Sequence, residues 1–192
     1  MKEFKTELCK LAYKYKTDKC PQLCHFYTEF YYGLLKDKRK SIKKVLELGT
    51  GCLKTMPRYT GYVTGASLHM WRDFFPNAQI YGADILPETV FKKDRIETFL
   101  CNETLKGDLI DLINKTGSDI DLFIDDGSHR PKHQIFVCLT LMPLLKKDVI
   151  YIIEDVRDPN IIDYLKDYDC HVVRKSRMRE STDRLVEVKR KA

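Results

Sequence analysis

The chain has 192 residues, of which 43% are hydrophobic and 32% are charged, and its formal net charge is +6 at pH 7. This length suits one folded domain with a sizeable core, and the composition excludes an intrinsically disordered chain. The sequence lacks the run of roughly 18 to 20 apolar residues that a membrane-spanning helix needs, and its start has no apolar signal segment.

Short apolar runs alternate with helical patterns, which is typical of a parallel sheet covered by helices. Before the first run, a stripe of Phe26, Phe30 and Leu34 predicts a helix. The predicted strands are 45–48, 79–83, 96–101, 121–124 and 149–153, with two weaker strands near 170–174 and 184–188. The predicted helices between them are 67–75, 105–113 and one that packs through Ile135, Leu139 and Met142. We therefore predict a single-domain α/β fold with a doubly wound, mostly parallel sheet of seven strands. In it, residues 1–40 form a helical cap over the site and residues 41–192 form the core.

The seven cysteines are an odd number and are scattered, which favours reduced thiols and a cytoplasmic protein over a disulfide framework. Cys20 and Cys24 lie close together, but a zinc site needs further ligands that the neighbouring sequence does not supply. Basic residues concentrate in 36–44, 174–179 and 189–191. Because they are not interleaved with aromatic residues, we interpret them as solvated segments and consider a nucleic-acid partner unlikely.

Two glycines, Gly49 and Gly51, directly follow the first predicted strand, where glycine lets the backbone turn tightly and approach a ligand. The dinucleotide fingerprint G-x-G-x-x-G is not completed, because Lys54 takes the place of its third glycine. Glu47 precedes the end of the same strand and can approach a ligand ammonium group. Asp84 ends the second strand, where an acid can accept hydrogen bonds from ribose hydroxyls. This arrangement favours S-adenosylmethionine, which has a ribose, an amino-acid tail and a sulfonium but no phosphate.

Acidic residues end the fourth and fifth predicted strands: Asp125 and Asp126 after one, Glu154 and Asp155 after the other. These strands are neighbours in a doubly wound sheet, so the carboxylates meet in a small volume. Their repulsion favours a bound cation, magnesium above others; the alternative is that they cap the following helices. Asp125 is predicted to lie on the cofactor side. His129 follows on the same loop, and its imidazole suits the removal of a proton from a hydroxyl group that attacks a methyl carbon.

Three longer strings carry a resemblance to a known family: GASLHMWRDFFPNAQIYGADI, LFIDDGSH and VIYIIEDV. They resemble the metal-dependent, class I S-adenosylmethionine sugar O-methyltransferases of macrolide and rhamnosylated antibiotic biosynthesis, which are related to cephalosporin hydroxylase-like proteins. The N-terminal Thr17-Asp18-Lys19, followed by His25, Tyr27 and Tyr31, is similar to the leading motif of that family. The resemblance covers nearly the whole chain.

The resemblance implies that magnesium is bound by Asp126, Glu154 and Asp155 and that His129 is the general base. It also implies an acceptor sugar with vicinal hydroxyls, one of which takes the methyl group.

On the cofactor side, the resemblance places Gly49, Ser67 and Asp84 around S-adenosylmethionine. Asn102 falls near the adenine, where the family tends to have an acid. The stretch 52–64 looks longer than the glycine-rich turn of the family, which bears on the methionine side of the pocket.

The expected function is therefore magnesium-dependent transfer of a methyl group from S-adenosylmethionine to a sugar hydroxyl, and the expected acceptor is a deoxyhexose such as rhamnose on a glycan or glycoside. Three alternatives stay open: catechol-type methylation, methylation of RNA, and a silent module that binds S-adenosylmethionine without turnover. The expected partner is a sugar or glycan, and the chain is expected to act as a homo-oligomer or as a module of a larger glycan-processing chain.

Overall fold

The computed structural model describes residues 3–57, 60–173 and 184–191. It contains five α-helices: α1 (Glu7–Tyr15), α2 (Tyr27–Leu35), α3 (Ala66–Phe74), α4 (Lys106–Thr116) and α5 (Pro131–Leu141). Its eight strands are β1 (Lys44–Leu48), β2 (Gln79–Asp84), β3 (Lys92–Lys93), β4 (Ile96–Leu100), β5 (Leu122–Asp125), β6 (Ile150–Ile153), β7 (Tyr168–Val173) and β8 (Leu185–Arg190). Short 3-10 turns occur at Lys36–Lys38, Pro87–Thr89 and Pro159–Tyr164.

All eight strands form one sheet in the order β3-β4-β2-β1-β5-β6-β8-β7. The inner strands β4, β2, β1, β5 and β6 run parallel, whereas β3, β8 and β7 each pair antiparallel with their neighbours. The predicted doubly wound, mostly parallel α/β sheet is confirmed, but the predicted strand number of seven is one too low. The missed strand is β3, whose two exposed lysines pair with the edge of β4 and give no apolar pattern in the sequence.

Helices cover both faces of the sheet. One core layer joins α1, α2 and α3 to β1, β2 and β5 through residues such as Leu8, Tyr31 and Trp71. The other joins α4 and α5 to the opposite face through residues such as Leu109 and Val137. Burial on both faces explains why β5 and β6 read as nearly continuous apolar runs.

Helix α1 lies in the N-terminal segment predicted to be helical, but it was not predicted as a separate element, although its start carries a recognisable signal. The Thr6 hydroxyl accepts a hydrogen bond from the backbone N–H of Cys9 at 3.1 Å, which caps the helix, and Glu7 follows in the first turn. Leu8 and Ala12, four residues apart, are fully buried and place α1 on the core.

One helix face was assigned wrongly from the sequence, and a second was assigned correctly only in part. In α2 the fully buried face is formed by Tyr27, Tyr31 and Leu35, and the predicted stripe of Phe26, Phe30 and Leu34 is only partly buried. For α5, the predicted Met142 is fully buried and Ile135 packs against the core, but Leu139 is 43% exposed and lies outside the buried face. Both helices are apolar around much of their circumference, so spacing alone does not show which face packs inward.

None of the helices in the described ranges is long and apolar enough to cross a membrane. All seven cysteines lie within those ranges, and none of them forms a disulfide. The basic run 174–179 and the end of the strand predicted near 170–174 lie outside the described residues.

Candidate active site

A cavity of about 620 Å³ lies at the carboxyl ends of the parallel strands. Its position is the switch point of the sheet, because the chain leaves β1 toward β2 on one side and returns to β5 on the other. The lining residues come from the ends of β1, β2, β4, β5 and β6 and from the segment before α2. The cavity has the size of an ordinary cofactor or small-molecule site.

The glycine turn after β1 lines part of the cavity. Gly49 has φ of +88° and Gly51 has φ of +69°, conformations that strain any residue with a side chain. The Asp84 carboxylate fixes this turn, because its Oδ2 accepts a hydrogen bond from the Gly51 N–H at 3.0 Å and its Oδ1 accepts one from Leu86 at 3.0 Å. Thr50 also lines the cavity, and its buried Oγ1 has no hydrogen-bond partner among the described residues. A turn with exposed backbone and an unsatisfied hydroxyl fits a polar ligand.

Glu47 does not reach the cavity. It is fully buried beneath α3, where its carboxylate accepts hydrogen bonds from the Ser67 hydroxyl and, at 2.5 Å, from the Trp71 indole N–H. Ser67 itself lines the cavity. Glu47 therefore orients Ser67 from behind, while the predicted direct contact of Glu47 with a ligand is not seen in this arrangement.

Two more predicted cofactor residues differ in their placement. Asn102 lines the cavity, but its Oδ1 accepts hydrogen bonds from the N–H and hydroxyl of Thr104 at 3.0 and 2.7 Å. Asp125 is 1% exposed and is absent from the lining, because strand alternation turns it with Phe123 toward the α4–α5 layer. Burial raises the pKa of Asp125 to about 8, and the nearby Glu103 charge adds to the shift, so Asp125 is protonated near neutral pH.

Asp126, His129 and Asp155 meet in the same cavity, where Asp126 lies beside the glycine turn. One ligand atom from each lies within 4.8 Å of the others. His129 Nε2 lies 3.1 Å from Asp126 Oδ1 and 3.6 Å from Asp155 Oδ2. His129 and Asp155 both have left-handed backbone conformations, with φ of +56° and +51°. Such backbone strain is held in place only by strong surrounding contacts and is common at functional sites.

The charges of Asp126 and His129 stabilise each other. Burial opposes the charged form of His129, but its hydrogen bond to Asp126 and the surrounding carboxylates outweigh burial and raise the pKa to about 9. Burial likewise opposes ionisation of Asp126, but Lys19 and His129 hold its pKa at about 2. Asp126 is therefore an anion over the whole physiological range.

Glu154, predicted as a third metal ligand, is 1% exposed, and two residues from the N-terminal part of the chain donate hydrogen bonds to its carboxylate. Its Oε2 accepts a hydrogen bond from Lys19 Nζ at 2.5 Å, and its Oε1 accepts one from the Tyr31 hydroxyl at 2.6 Å. Tyr27, one turn earlier in α2, donates a hydrogen bond to Asp155 at 2.6 Å. Both carboxylates after β6 are thus oriented by tyrosines of one helix.

Lys19 is the residue that the sequence reasoning missed. Clustered carboxylates need a cation, and from the sequence only a metal ion was expected in that role. In the structure, Lys19 Nζ lies 2.6 Å from Asp126 Oδ2 and 2.5 Å from Glu154 Oε2. Burial opposes its charge, yet the nearby carboxylates raise the pKa of Lys19 well above its usual value. The signal in the sequence is its place in Thr17-Asp18-Lys19, a motif to which no role had been given.

The donor set fits a hard divalent ion. Asp126 and Asp155 offer carboxylate oxygens to one volume, which is the chemistry that magnesium prefers, and His129 lies beside them. In the present arrangement the Glu154 oxygens are engaged by Lys19 and Tyr31 instead.

No protein-family model matches the chain. It is 34% identical over 152 residues to the mycinamicin VI 2''-O-methyltransferase of Micromonospora griseorubida, an alignment that covers 79% of this chain and 36% of that protein. It is also 34% identical over 154 residues to the 8-demethyl-8-(2-methoxy-alpha-L-rhamnosyl)-tetracenomycin-C 3'-O-methyltransferase of Streptomyces olivaceus, with coverage of 78% and 37%. The chain thus spans little more than a third of the length of these relatives.

Among solved structures, the chain is similar to the MycE methyltransferase from the mycinamycin biosynthetic pathway, in complex with Mg, SAH and mycinamycin VI. The TM-score is 0.77 at 25% identity, over 97% of this chain and 54% of that one. The predicted resemblance is therefore confirmed. By sequence and by fold, the chain is similar to the sugar O-methyltransferases of macrolide and tetracenomycin pathways.

Proposed function

We propose that this chain transfers a methyl group from S-adenosylmethionine to a hydroxyl of a sugar, with a divalent cation, preferably magnesium. The observation that carries the proposal is that one cavity is lined both by the glycine turn and Asp84 and by the cluster of Asp126, His129 and Asp155. A transfer enzyme must hold donor and acceptor in one volume so that the reacting atoms meet in line. The named relatives methylate sugars of antibiotics, which supports the acceptor class.

The part of the cavity beside the glycine turn would hold S-adenosylmethionine, which supplies the methyl group. Gly49 and Gly51 offer backbone at close range, and Asp84 offers carboxylate oxygens suited to ribose hydroxyls. Ser67, which lines the same cavity, would provide a further polar contact.

The part of the cavity beside the cluster of Asp126, His129 and Asp155 would bind the sugar and remove its proton. Asp126 and Asp155 would hold the metal ion, which when bound supplies the positive charge that lowers the pKa of an acceptor hydroxyl and of His129. His129 Nε2 would then accept the hydroxyl proton as the oxygen forms its bond to the methyl carbon, and the carbon–sulfur bond breaks to leave the neutral thioether. Tyr27 and Tyr31 keep the carboxylates after β6 oriented during this step.

The test is incubation with methyl-labelled S-adenosylmethionine and a panel of rhamnosides, other glycosides and catechols, with magnesium or with a chelator. We expect labelled sugar with magnesium and none with chelator. Labelled catechol without labelled sugar would replace the acceptor class, and turnover unaffected by chelator would refute the metal assignment. Calorimetric binding of S-adenosylmethionine without any turnover would point to a silent binding module.

A matched pair of variants tests whether magnesium-dependent turnover requires the proposed metal site. Asp155→Asn removes a carboxylate of the proposed metal site, whereas Asp158→Asn changes the same chemical group three residues away, where it caps a 3-10 turn through Asn160. We expect the first variant to lose magnesium-dependent turnover and the second to keep it. Equal loss in both would mean that the change acts through folding and not through the site.

A further inference from the structure

Lys19 occupies an unusual position for a lysine. Its side chain is 2% exposed, and its ammonium group lies within 4 Å of three carboxylates, at 2.5 Å from Glu154, 2.6 Å from Asp126 and 3.9 Å from Glu47. Glu154 and Asp126 follow β6 and β5, and Glu47 is the last residue but one of β1, whereas Lys19 comes from the segment between α1 and α2. Its charge therefore holds together elements that are distant in sequence.

The ammonium does not neutralise this group completely. Three carboxylates share this one ammonium group, and Asp18 adds to the negative surroundings of Lys19. A buried excess of negative charge is costly unless a cation or protons compensate it. A divalent ion is the natural complement, and Lys19 limits how much negative charge is left for that ion.

Asp126 is the shared residue. Its Oδ2 is bound by Lys19, and its Oδ1 faces His129 in the cluster suited to a metal ion. An ion at that cluster and the Lys19 ammonium would be like charges acting on one carboxylate. They would repel each other within a largely buried site, where screening by water is weak.

We propose that Lys19 is a positioning residue that keeps the site assembled without metal and sets a limit on its affinity for the divalent cation. In the ion-free protein it holds Asp126 and Glu154 together. In the ion-bound protein its charge opposes the ion. The inference rests on the metal site of the proposed function, but it concerns ion binding and stability and does not require turnover.

The test is Lys19→Met in the full chain, with magnesium affinity measured by calorimetry and the melting temperature measured with chelator and with saturating magnesium. Methionine keeps the length of the side chain and removes its charge. We expect a lower melting temperature in chelator and a magnesium dissociation constant that falls by about tenfold or more. Magnesium should therefore stabilise the variant more than it stabilises the unaltered protein. If Lys19 had only a structural role, the substitution would lower the melting temperature both with chelator and with magnesium, and it would leave the magnesium affinity unchanged or weaker.

Lys14→Met is the matched control. Lys14 is 59% exposed and pairs with Asp73 on the surface, so the same substitution there should change neither magnesium affinity nor the response to magnesium. A change in affinity of similar size in this control would overturn the local explanation.

A second variant, Lys19→Met with Glu47→Gln, removes one basic and one acidic group together. It serves as the test if the single variant folds poorly. The glutamine can still accept from Trp71 and donate to Ser67, so the contacts of Glu47 are kept. We expect stability in chelator to recover and magnesium affinity to return toward that of the unaltered protein. A double variant that does not fold, or that binds magnesium as tightly as the single variant, would overturn the inference.

The two proposals fail in different ways. If the unaltered protein binds no magnesium at millimolar concentration, the inference about Lys19 is wrong, whatever the methyl-transfer assay shows. If the affinities shift as expected but no acceptor is methylated, the inference stands and the proposed function fails.

Discussion

Gly49→Ala tests the close approach between the turn after β1 and the loop after β5. A Cβ at Gly49 would lie 2.5 Å from the Asp126 carbonyl carbon and 3.1 Å from the Gly127 nitrogen, and it would overlap the Asp126 carbonyl oxygen. These atoms are backbone and cannot swing aside. The left-handed φ of +88° adds about 1–3 kcal/mol of strain, and overpacking adds about 1–3 kcal/mol. We expect the free energy of unfolding to fall by about 2–6 kcal/mol, a large share of the roughly 5–15 kcal/mol of a typical domain.

The assay is urea unfolding combined with calorimetric binding of S-adenosylmethionine. Relief of the overlap must move Asp126 or the glycine turn, so we expect cofactor binding to weaken together with stability. Gly33→Ala is the matched control, because Gly33 lies in α2 with no atom within 4 Å of the added Cβ. That variant should gain about 0.5–1 kcal/mol, since alanine favours a helix. An unfolding midpoint for Gly49→Ala equal to that of the unaltered protein would refute the reasoning.

Three further predictions follow from the same structure. Trp71→Phe removes the indole N–H that binds the buried Glu47 carboxylate and should cost about 1–3 kcal/mol in urea unfolding; an unchanged value would mean that this hydrogen bond is not formed. Burial opposes ionisation of Asp73, but hydrogen bonds from Tyr15 and two basic neighbours lower its pKa to about 2. Because the folded pKa lies below the unfolded value, Asp73 should add up to about 2 kcal/mol at neutral pH, lost as pH falls from 4 to 2. Asp73→Asn should flatten this part of the stability profile, and an unaltered profile would refute the assignment. His129→Ala should slow methyl transfer by roughly 10²–10⁴ at unchanged binding of S-adenosylmethionine, and a rate equal to that of the unaltered protein would exclude it as the base.

The fold was predictable because the inner strands carry their signal locally. The strands β1, β2, β5 and β6 are short, mostly apolar runs that reach Gly, Asp or Glu at their ends, and burial on both faces favours such runs. The details that failed are those in which local sequence is ambiguous. Helix α5 is apolar nearly all round, so its buried face depends on what it packs against, and β3 has two lysines whose strand conformation comes from pairing with β4.

The site was predictable to the extent that it lies at strand ends. Asp126, His129 and Asp155 were placed together correctly by topology alone, whereas their roles stay predictions. Asp125 was not brought to the cavity, and strand alternation could have shown this, since Asp125 and Asp126 point to opposite faces. Lys19 was out of reach of local reasoning, because its partners lie 107 and 135 residues further along the chain.

The position of β8 has a consequence for synthesis. This strand comes after β7 in sequence, yet it lies between β6 and β7 and supplies the pairing partner of Ile150–Ile153. While the chain emerges from the ribosome, the apolar edge of β6 therefore stays open until Leu185 and the following residues appear. Open apolar edges recruit strands from other molecules. We expect a nascent or truncated chain that ends before Leu185 to aggregate, so that soluble yield would report whether the last strand has been made.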